Sequence, residues 1–190
     1  MSEKKRVKAR LCGSKKISPE LARFIDQTLL RPQATEADII KLCKGAIKYS
    51  FYSVCVNPYF VPLCKAILTG YDTKVATVIG FPLGMTQKNV KIYEASQAVL
   101  YGAQELDIVI NIGALKSGNM DFVGDELSEI IASSKTAIHK IIIETCCLTE
   151  KEKRAAVEVA LASGAHFVKT STGFGAKGAT IKDVKLIKGI

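Results

Sequence analysis

The chain has 190 residues, 48% of them hydrophobic, and carries 27 Lys and Arg against 18 Asp and Glu. This composition excludes a largely disordered chain, because disordered chains have too few apolar residues to form a core. The length fits one globular domain. Residues 1–16 hold seven basic residues and one acidic residue, and therefore most of the net charge of +9. We divide the chain into a basic N-terminal arm, residues 1–16, and one domain, residues 17–190.

The basic arm leaves two interpretations open. A segment of this kind is typical of a solvated tail and, less often, of a segment that binds polyanions. No base-stacking aromatic motif accompanies the arm, so we expect no nucleic acid partner.

The cysteines and histidines indicate reduced thiols and no metal. The six cysteines form no Cys-x-x-Cys pair, and neither His139 nor His166 is spaced to pair with a cysteine or carboxylate cluster. We expect no cofactor and a reducing, cytoplasmic location. The charged N-terminus is not followed by an apolar segment, and no uncharged stretch approaches the length of a membrane span. We therefore expect no association with a membrane.

After the arm, short apolar runs alternate with amphipathic helical segments. The predicted strands are 24–26, 53–56, 74–79, 105–110, 140–144 and 167–169. The predicted helices are 35–49, a helix from residue 58, 87–101, 121–134, 149–163 and a helix from residue 181. Thr149 to Glu152 forms a capping box, which marks a helix start. The pattern predicts six β/α units.

Apolar strands that alternate with helices indicate a parallel sheet covered by helices, either doubly wound or a (β/α) barrel. No Gly-x-Gly-x-x-Gly motif follows the first strand, which argues against a dinucleotide-binding sheet. Polar residues end several strands, as in barrel enzymes. The predicted fold is therefore α/β, of the (β/α) TIM-barrel type, with about six of eight units present.

Lys169 ends the sixth predicted strand and has two interpretations. It is either a strand-end charge that reaches solvent or an amine in a dry pocket that forms a Schiff base with a carbonyl. The loop that follows, residues 170–175, offers hydroxyl and backbone N–H groups, including those of Thr172 and Gly173, that suit a phosphate.

Asp107 is a carboxylate within an apolar strand, where burial is costly unless it pairs with a cation or exchanges protons. Lys140 and Glu144 are separated by an even number of positions, and side chains alternate along a strand, so both are predicted on one face of the fifth strand. If that face lines the barrel, Lys140 meets Asp107 and Lys169. The alternative is a buried structural ion pair. Cys146 and Cys147 are interpreted as packing residues, because no histidine is placed to activate either thiol.

Six motifs resemble, in the same order, those of the deoxyribose-phosphate aldolases. They are Ile-Asp-Gln-Thr-Leu-Leu at 25–30, Ser-Val-Cys-Val-Asn-Pro at 53–58, Val-Ala-Thr-Val-Ile-Gly-Phe-Pro-Leu-Gly at 75–84, Glu-Leu-Asp at 105–107, Lys-Ile-Ile-Ile-Glu-Thr at 140–145 and Phe-Val-Lys-Thr-Ser-Thr-Gly-Phe-Gly at 167–175. The resemblance extends from about residue 17 to the end of the chain. It implies a metal-free class I lyase on a TIM barrel that cleaves 2-deoxy-D-ribose 5-phosphate to glyceraldehyde 3-phosphate and acetaldehyde.

The resemblance also implies roles for individual residues. Lys169 corresponds to the Schiff-base lysine, Asp107 to the acid that relays protons through water, and Lys140 to a further catalytic lysine. Asp26 and Thr28 correspond to polar residues near a substrate hydroxyl, and the neighbouring Gln27 stands where many relatives have histidine. We expect a small phosphorylated sugar as substrate and a homo-oligomer.

In the family that the chain resembles, a seventh and an eighth strand follow, with a second essential lysine and two phosphate loops. This chain ends at Ile190, so we expect a barrel that is incomplete at its C-terminus. The alternative to an active aldolase is a catalytically impaired or inactive chain of the same fold that acts as a remnant or an interaction partner.

Overall fold

The computed structural model describes residues 18–190, which form one sheet of six parallel strands with helices between them. The strands are β1 (Asp26–Leu29), β2 (Ser53–Val56), β3 (Lys74–Ile79), β4 (Glu105–Val109), β5 (Ile138–Ile142) and β6 (Phe167–Lys169). The helices are α1 (Pro19–Ala22), α2 (Glu36–Tyr49), α3 (Val61–Leu68), α4 (Lys88–Leu100), α5 (Ile112–Lys116), α6 (Met120–Ser133), α7 (Glu150–Ala162) and α8 (Ile181–Lys188). The predicted basic arm, residues 1–16, lies outside the described residues.

All six predicted strands and all six predicted helices are present, with shifted ends at three strands. The fourth strand ends at Val109 rather than at residue 110. The first strand begins at Asp26 rather than at residue 24, because the backbone pairs Asp26–Leu29 with Ser53–Val56. The fifth strand is Ile138–Ile142 rather than 140–144, because its pairing with β4 begins at Ile138. The two short helices α1 and α5 were not predicted. A 3-10 turn, Pro58–Phe60, takes the place of the first predicted turn before α3.

The sheet has the strand order β1 to β6, so every strand pairs with the next one in the chain. This order, with parallel neighbours throughout, is that of a (β/α) barrel, and it confirms the predicted fold class with six β/α units. Within the part of the chain that the structure describes, β1 and β6 each pair with one strand and form the two edges of the sheet.

Alternate residues of the strands form two separate apolar layers. Leu106 and Ile108 of β4 and Ile141 of β5 are fully buried in the large cluster between the sheet and the helices. Cys55 and Val78 belong to a small second cluster, with Ala76 and Leu30. Val78 is the β3 partner of Asp107, so this small cluster lies on the face of the sheet that carries the ionisable side chains. The helices cover the other face.

A buried charge pair outside the sheet fixes the end of β4. Lys91 of α4 is fully buried, and its Nζ donates to Glu126 Oε2 at 2.9 Å and to the Val109 carbonyl at 3.1 Å. Glu126 of α6 is also fully buried. Burial lowers the pKa of Lys91. The pair joins two helices to the carboxyl end of the strand that carries Asp107.

We expect Lys91→Met to lower the free energy of unfolding by about 3–5 kcal/mol, because it leaves the Glu126 carboxylate buried without a cation. The double variant Lys91→Met, Glu126→Leu removes both charges and is expected to regain most of that loss. Urea denaturation measures both changes.

The matched control is Lys88→Met on the same helix, which breaks an exposed pair with Glu129. Its expected cost is about 0–1 kcal/mol. Equal losses in Lys91→Met and the double variant would contradict the prediction.

Candidate active site

The sheet places four of the predicted site residues on its inner face. Asp107 on β4 pairs in register with Lys140 on β5, and Ile142 of β5 pairs with Lys169 at the end of β6. Asp26 begins β1. Because side chains alternate along a strand, the apolar neighbours of these residues point to the helices while the charged groups point inward.

The inward charges form one connected network. Lys169 Nζ donates a hydrogen bond to Asp107 Oδ2. Lys140 Nζ donates to Asp26 Oδ2 at 2.7 Å and lies 3.6 Å from Asp107 Oδ1. Asp107 is fully buried, Lys140 is buried, and the Lys169 side chain is 32% exposed. The three residues that the sequence predicted to meet, Lys140, Asp107 and Lys169, therefore do meet, and Asp107 lies between the two lysines. Asp26 joins them through Lys140.

Glu105 belongs to the same network, although the sequence analysis assigned it no role. It is fully buried on β4, and its Oε2 accepts a hydrogen bond from Lys140 Nζ at 2.5 Å. Its position two residues before Asp107 puts it on the same face of the strand, which is the signal that could have identified it. Ser53 completes the surroundings of Asp26, since its hydroxyl donates to Asp26 Oδ1 at 2.8 Å.

The carboxylates of this network control the pKa of both lysines. Burial lowers the pKa of Lys169, but the charge of Asp107 and the hydrogen bond to it more than offset burial, so the net shift is upward. The pKa of Lys140 is also raised, because Asp107, Asp26 and Glu105 together outweigh the effect of its burial. Because its pKa is raised, the Lys169 amine is protonated at neutral pH.

A cleft of about 420 Å³ gives access to the two lysines. It lies between the sheet edges β1 and β6, and its walls include Asp26, Tyr52, Lys140 and Lys169. A larger groove of about 640 Å³ lies beside β1 and α2 and contains none of the predicted catalytic residues. We place the site in the smaller cleft because its walls include Lys140 and Lys169, which contact the buried carboxylate of Asp107.

Three predicted substrate-binding residues lie outside this cleft. The Thr28 hydroxyl donates to the Asp26 carbonyl at 2.9 Å. Thr172 and Gly173 lie in the loop after β6; Gly173 is exposed, and Thr172 is bound to Glu144. Their roles toward a substrate stay predictions.

Glu144 differs from the sequence-based expectation. It was predicted to share a strand face with Lys140, but β5 ends at Ile142, and Glu144 has the left-handed backbone conformation with φ of 49°. The alternation of side chains along β5 therefore does not set the direction of the Glu144 side chain. Glu144 contacts the loop after β6 rather than Lys140.

A parallel barrel-type sheet with lysines and carboxylates on its inner face is the architecture of (β/α)-barrel enzymes. Residues 21–189 match the DeoC/LacD family of aldolases, and the chain belongs to that family. The resemblance to deoxyribose-phosphate aldolases is thereby confirmed.

The chain is 55% identical over 176 residues to the deoxyribose-phosphate aldolase of Thermococcus gammatolerans, with 90% of this chain and 78% of the relative covered. Among solved structures, an aldolase designated QR15 matches with 45% identity and a TM-score of 0.87, over 90% of this chain and 76% of the other. The tetrameric deoxyribose phosphate aldolase of Aeropyrum pernix matches with 33% identity and a TM-score of 0.84, over 100% of this chain and 80% of the other.

The raised pKa of Lys169 leads to a prediction for the pH dependence of its reactivity. Only the neutral amine attacks an aldehyde, so we expect imine formation at Lys169 to rise about tenfold per pH unit above neutrality until the pH reaches the pKa. Asp107→Asn removes the charge that raises this pKa and is expected to move the profile to lower pH. Trapping of acetaldehyde with cyanoborohydride, followed by peptide mass mapping, measures the profile.

Asp125→Asn is the matched control, since Asp125 is an exposed aspartate on α6. It is expected to leave the profile at the wild-type position. An Asp107→Asn profile that coincides with the wild type would contradict the assignment of the shift to Asp107.

Proposed function

We propose that this chain catalyses the reversible aldol cleavage of 2-deoxy-D-ribose 5-phosphate to D-glyceraldehyde 3-phosphate and acetaldehyde, through a Schiff base on Lys169. The observation that carries the proposal is the hydrogen bond from the Lys169 amine, at the end of β6, to the buried carboxylate of Asp107. The chain that holds this pair belongs to an aldolase family. The relatives named deoxyribose-phosphate aldolase support the choice of substrate.

The proposed reaction begins with transfer of a proton from the Lys169 ammonium to Asp107. The neutral Nζ attacks the C1 aldehyde carbon of the open-chain sugar and forms a carbinolamine, and Asp107 returns the proton to the hydroxyl that leaves as water. The product is a protonated imine. Asp107 suits this exchange because it already accepts a hydrogen bond from the reacting nitrogen.

Cleavage breaks the bond between C2 and C3. The C3 hydroxyl gives its proton, through water, to the Asp107 carboxylate, the C2–C3 electron pair moves toward the iminium nitrogen, and glyceraldehyde 3-phosphate leaves. Asp107 then gives that proton to C2 of the remaining enamine, and addition of water to the resulting iminium releases acetaldehyde and the free amine. Lys140 lies beside Asp107 and is paired with Asp26, and we assign Lys140 the role of a cation that offsets the negative charge of the Asp107 carboxylate.

We expect borohydride reduction in the presence of acetaldehyde to convert Lys169, and no other lysine at a comparable rate, to its N-ethyl form. Lys169→Met is expected to abolish both the label and the cleavage of deoxyribose 5-phosphate. Asp107→Asn is expected to lower kcat by about 10²–10⁴-fold, as for the loss of an acid–base group.

Lys135→Met is the control, because Lys135 is an exposed lysine before β5. A label spread evenly over the lysines would refute the Schiff-base assignment. A labelled Lys169 without detectable cleavage would favour the alternative of a catalytically impaired chain.

We further propose a homo-oligomer in the cytoplasm. The free thiols of Cys43, Cys55 and Cys64 fit a reducing compartment. No described helix is both long and apolar enough to cross a membrane. Phe24 beside β1 and Phe167 on β6 are 85% and 58% exposed, and an apolar sheet edge of this kind is typical of an association surface.

We expect light scattering to give a mass above that of a monomer, because the two exposed phenylalanines lie at sheet edges. The double variant Phe24→Ser, Phe167→Ser is expected to lower that mass. Tyr59→Ser, at an aromatic side chain that is 79% exposed beside α3, serves as control. A monomeric wild type would refute the proposed oligomer.

A further inference from the structure

Glu144 is a buried carboxylate that the proposed reaction does not use. The residue is 4% exposed and follows β5 by two positions. Its backbone has φ of 49°, a conformation that few residues other than glycine adopt. Residues in strained backbone conformations are frequent at functional sites. The contacts of the Glu144 carboxylate indicate which function this residue has.

One oxygen of Glu144 holds the loop that follows Lys169. Glu144 Oε2 accepts a hydrogen bond from the Thr172 backbone N–H at 3.1 Å and another from the Thr172 hydroxyl. Thr172 Oγ1 in turn accepts a hydrogen bond from the Phe174 N–H at 3.1 Å. The Phe174 ring packs edge-on against Phe81, with ring centroids 5.3 Å apart. The loop is therefore tied to the ends of both β5 and β3.

The other oxygen of Glu144 faces Gly175. A Cβ at this glycine would lie 2.9 Å from both Glu144 Oε1 and Cys146 Sγ. A side chain at residue 175 would therefore require the Glu144 carboxylate and the Cys146 thiol to shift. The glycine after Phe174 lets the loop lie against the carboxylate without that shift.

The contacts leave Thr172 without a donor for a substrate. Its N–H and its hydroxyl both donate to Glu144. The Gly173 N–H, by contrast, donates to no acceptor among residues 18–190. A backbone N–H that is exposed and unpaired is suited to an anionic oxygen.

We propose that Glu144 is a positioning residue that orders the loop 170–175 for the phosphate end of the substrate, with Thr172 acting through the loop rather than on the substrate directly. This inference rests on the proposed function. An ordered loop lowers the entropy cost of binding a phosphorylated substrate. It has no part in the attack of Lys169 on an aldehyde, so the effects on binding and on imine formation separate.

Amide hydrogen exchange tests the positioning without any substrate. Glu144→Gly removes the carboxylate while keeping a residue that favours the left-handed conformation, and Thr172→Val removes the hydroxyl. Both are expected to speed exchange in peptides covering the loop 170–175 and to leave β4 unchanged. Glu144→Gln and Thr172→Ser retain the acceptor and the hydroxyl, and are expected to retain the protection of the loop.

Steady-state kinetics test the consequence for binding. Glu144→Gly is expected to raise KM for deoxyribose 5-phosphate about tenfold, as for a lost hydrogen bond to a charged group, with kcat near the wild-type value. Glu144→Gln is expected to restore KM. Trapping of acetaldehyde on Lys169 is expected to proceed at the wild-type rate. Adding Thr172→Val to Glu144→Gly is expected to cost less than Thr172→Val costs in the wild type, because the hydrogen bond to Glu144 is already lost and only the Phe174 N–H loses its acceptor.

The control is Glu158→Ala, an exposed glutamate on α7. Unchanged exchange in the loop of Glu144→Gly would overturn the proposal. So would a loss that falls on acetaldehyde trapping as much as on KM, since Glu144 would then act in the chemistry. A wild type that forms no adduct on Lys169 would refute the proposed function, and the exchange experiment would still decide whether Glu144 holds the loop.

Discussion

The pairing of buried carboxylates with lysines on the inner face of the sheet is the constraint on which the rest of the structure depends. Glu105 and Asp107 are fully buried on one face of β4. Carboxylates in apolar surroundings are costly unless cations compensate them. The register of β5 puts Lys140 opposite Asp107, and the register of β6 brings Lys169 to the same carboxylate. A slip of one residue in β5 would carry Lys140 to the helix-covered face, so that Glu105 would lose its cation and Asp107 would lose one of its two lysines.

The same charge balance sets the chemical state of the site. Three carboxylates, those of Asp26, Glu105 and Asp107, surround two lysines, so the network has an excess of negative charge. Burial lowers the pKa of each lysine, but the three carboxylates together raise that of Lys140, and Asp107 raises that of Lys169, so both net shifts are upward. The raised pKa of Lys169 favours the stability of the fold, because the protonated amine pairs with Asp107. The same raised pKa opposes attack on a carbonyl, because the amine must first lose a proton. Asp107 resolves this conflict, since the carboxylate that raises the pKa of Lys169 is also the base that accepts its proton.

The sequence predicted the elements and most of the charged network, because both follow from alternation. The apolar runs and the capping box at Thr149 identified strands and helices. Strand parity gave the face of Lys140, and Asp107 stood out as a carboxylate within an apolar strand. Strand ends were harder to predict. The apolar run of β5 continues through Ile143, but pairing with β4 ends at Ile142. No residue type in this segment marks the position at which β5 stops pairing with β4. The left-handed conformation of Glu144 and its contact with Thr172 could therefore not be predicted from the sequence.

Lys140 and Glu144 show how a short segment serves two purposes. Within the strand, alternation directs Lys140 into the charged network, where its neighbours are fixed by register. Two residues past the end of pairing, alternation no longer governs the chain, and Glu144 turns to the loop of the neighbouring unit. The charge of Lys140, within the strand, is therefore compensated by carboxylates on neighbouring strands. The carboxylate of Glu144, just beyond the strand, instead accepts hydrogen bonds from the loop after β6. This division lets the loop after β6 be ordered by a carboxylate that does not enter the balance of charge around Lys169.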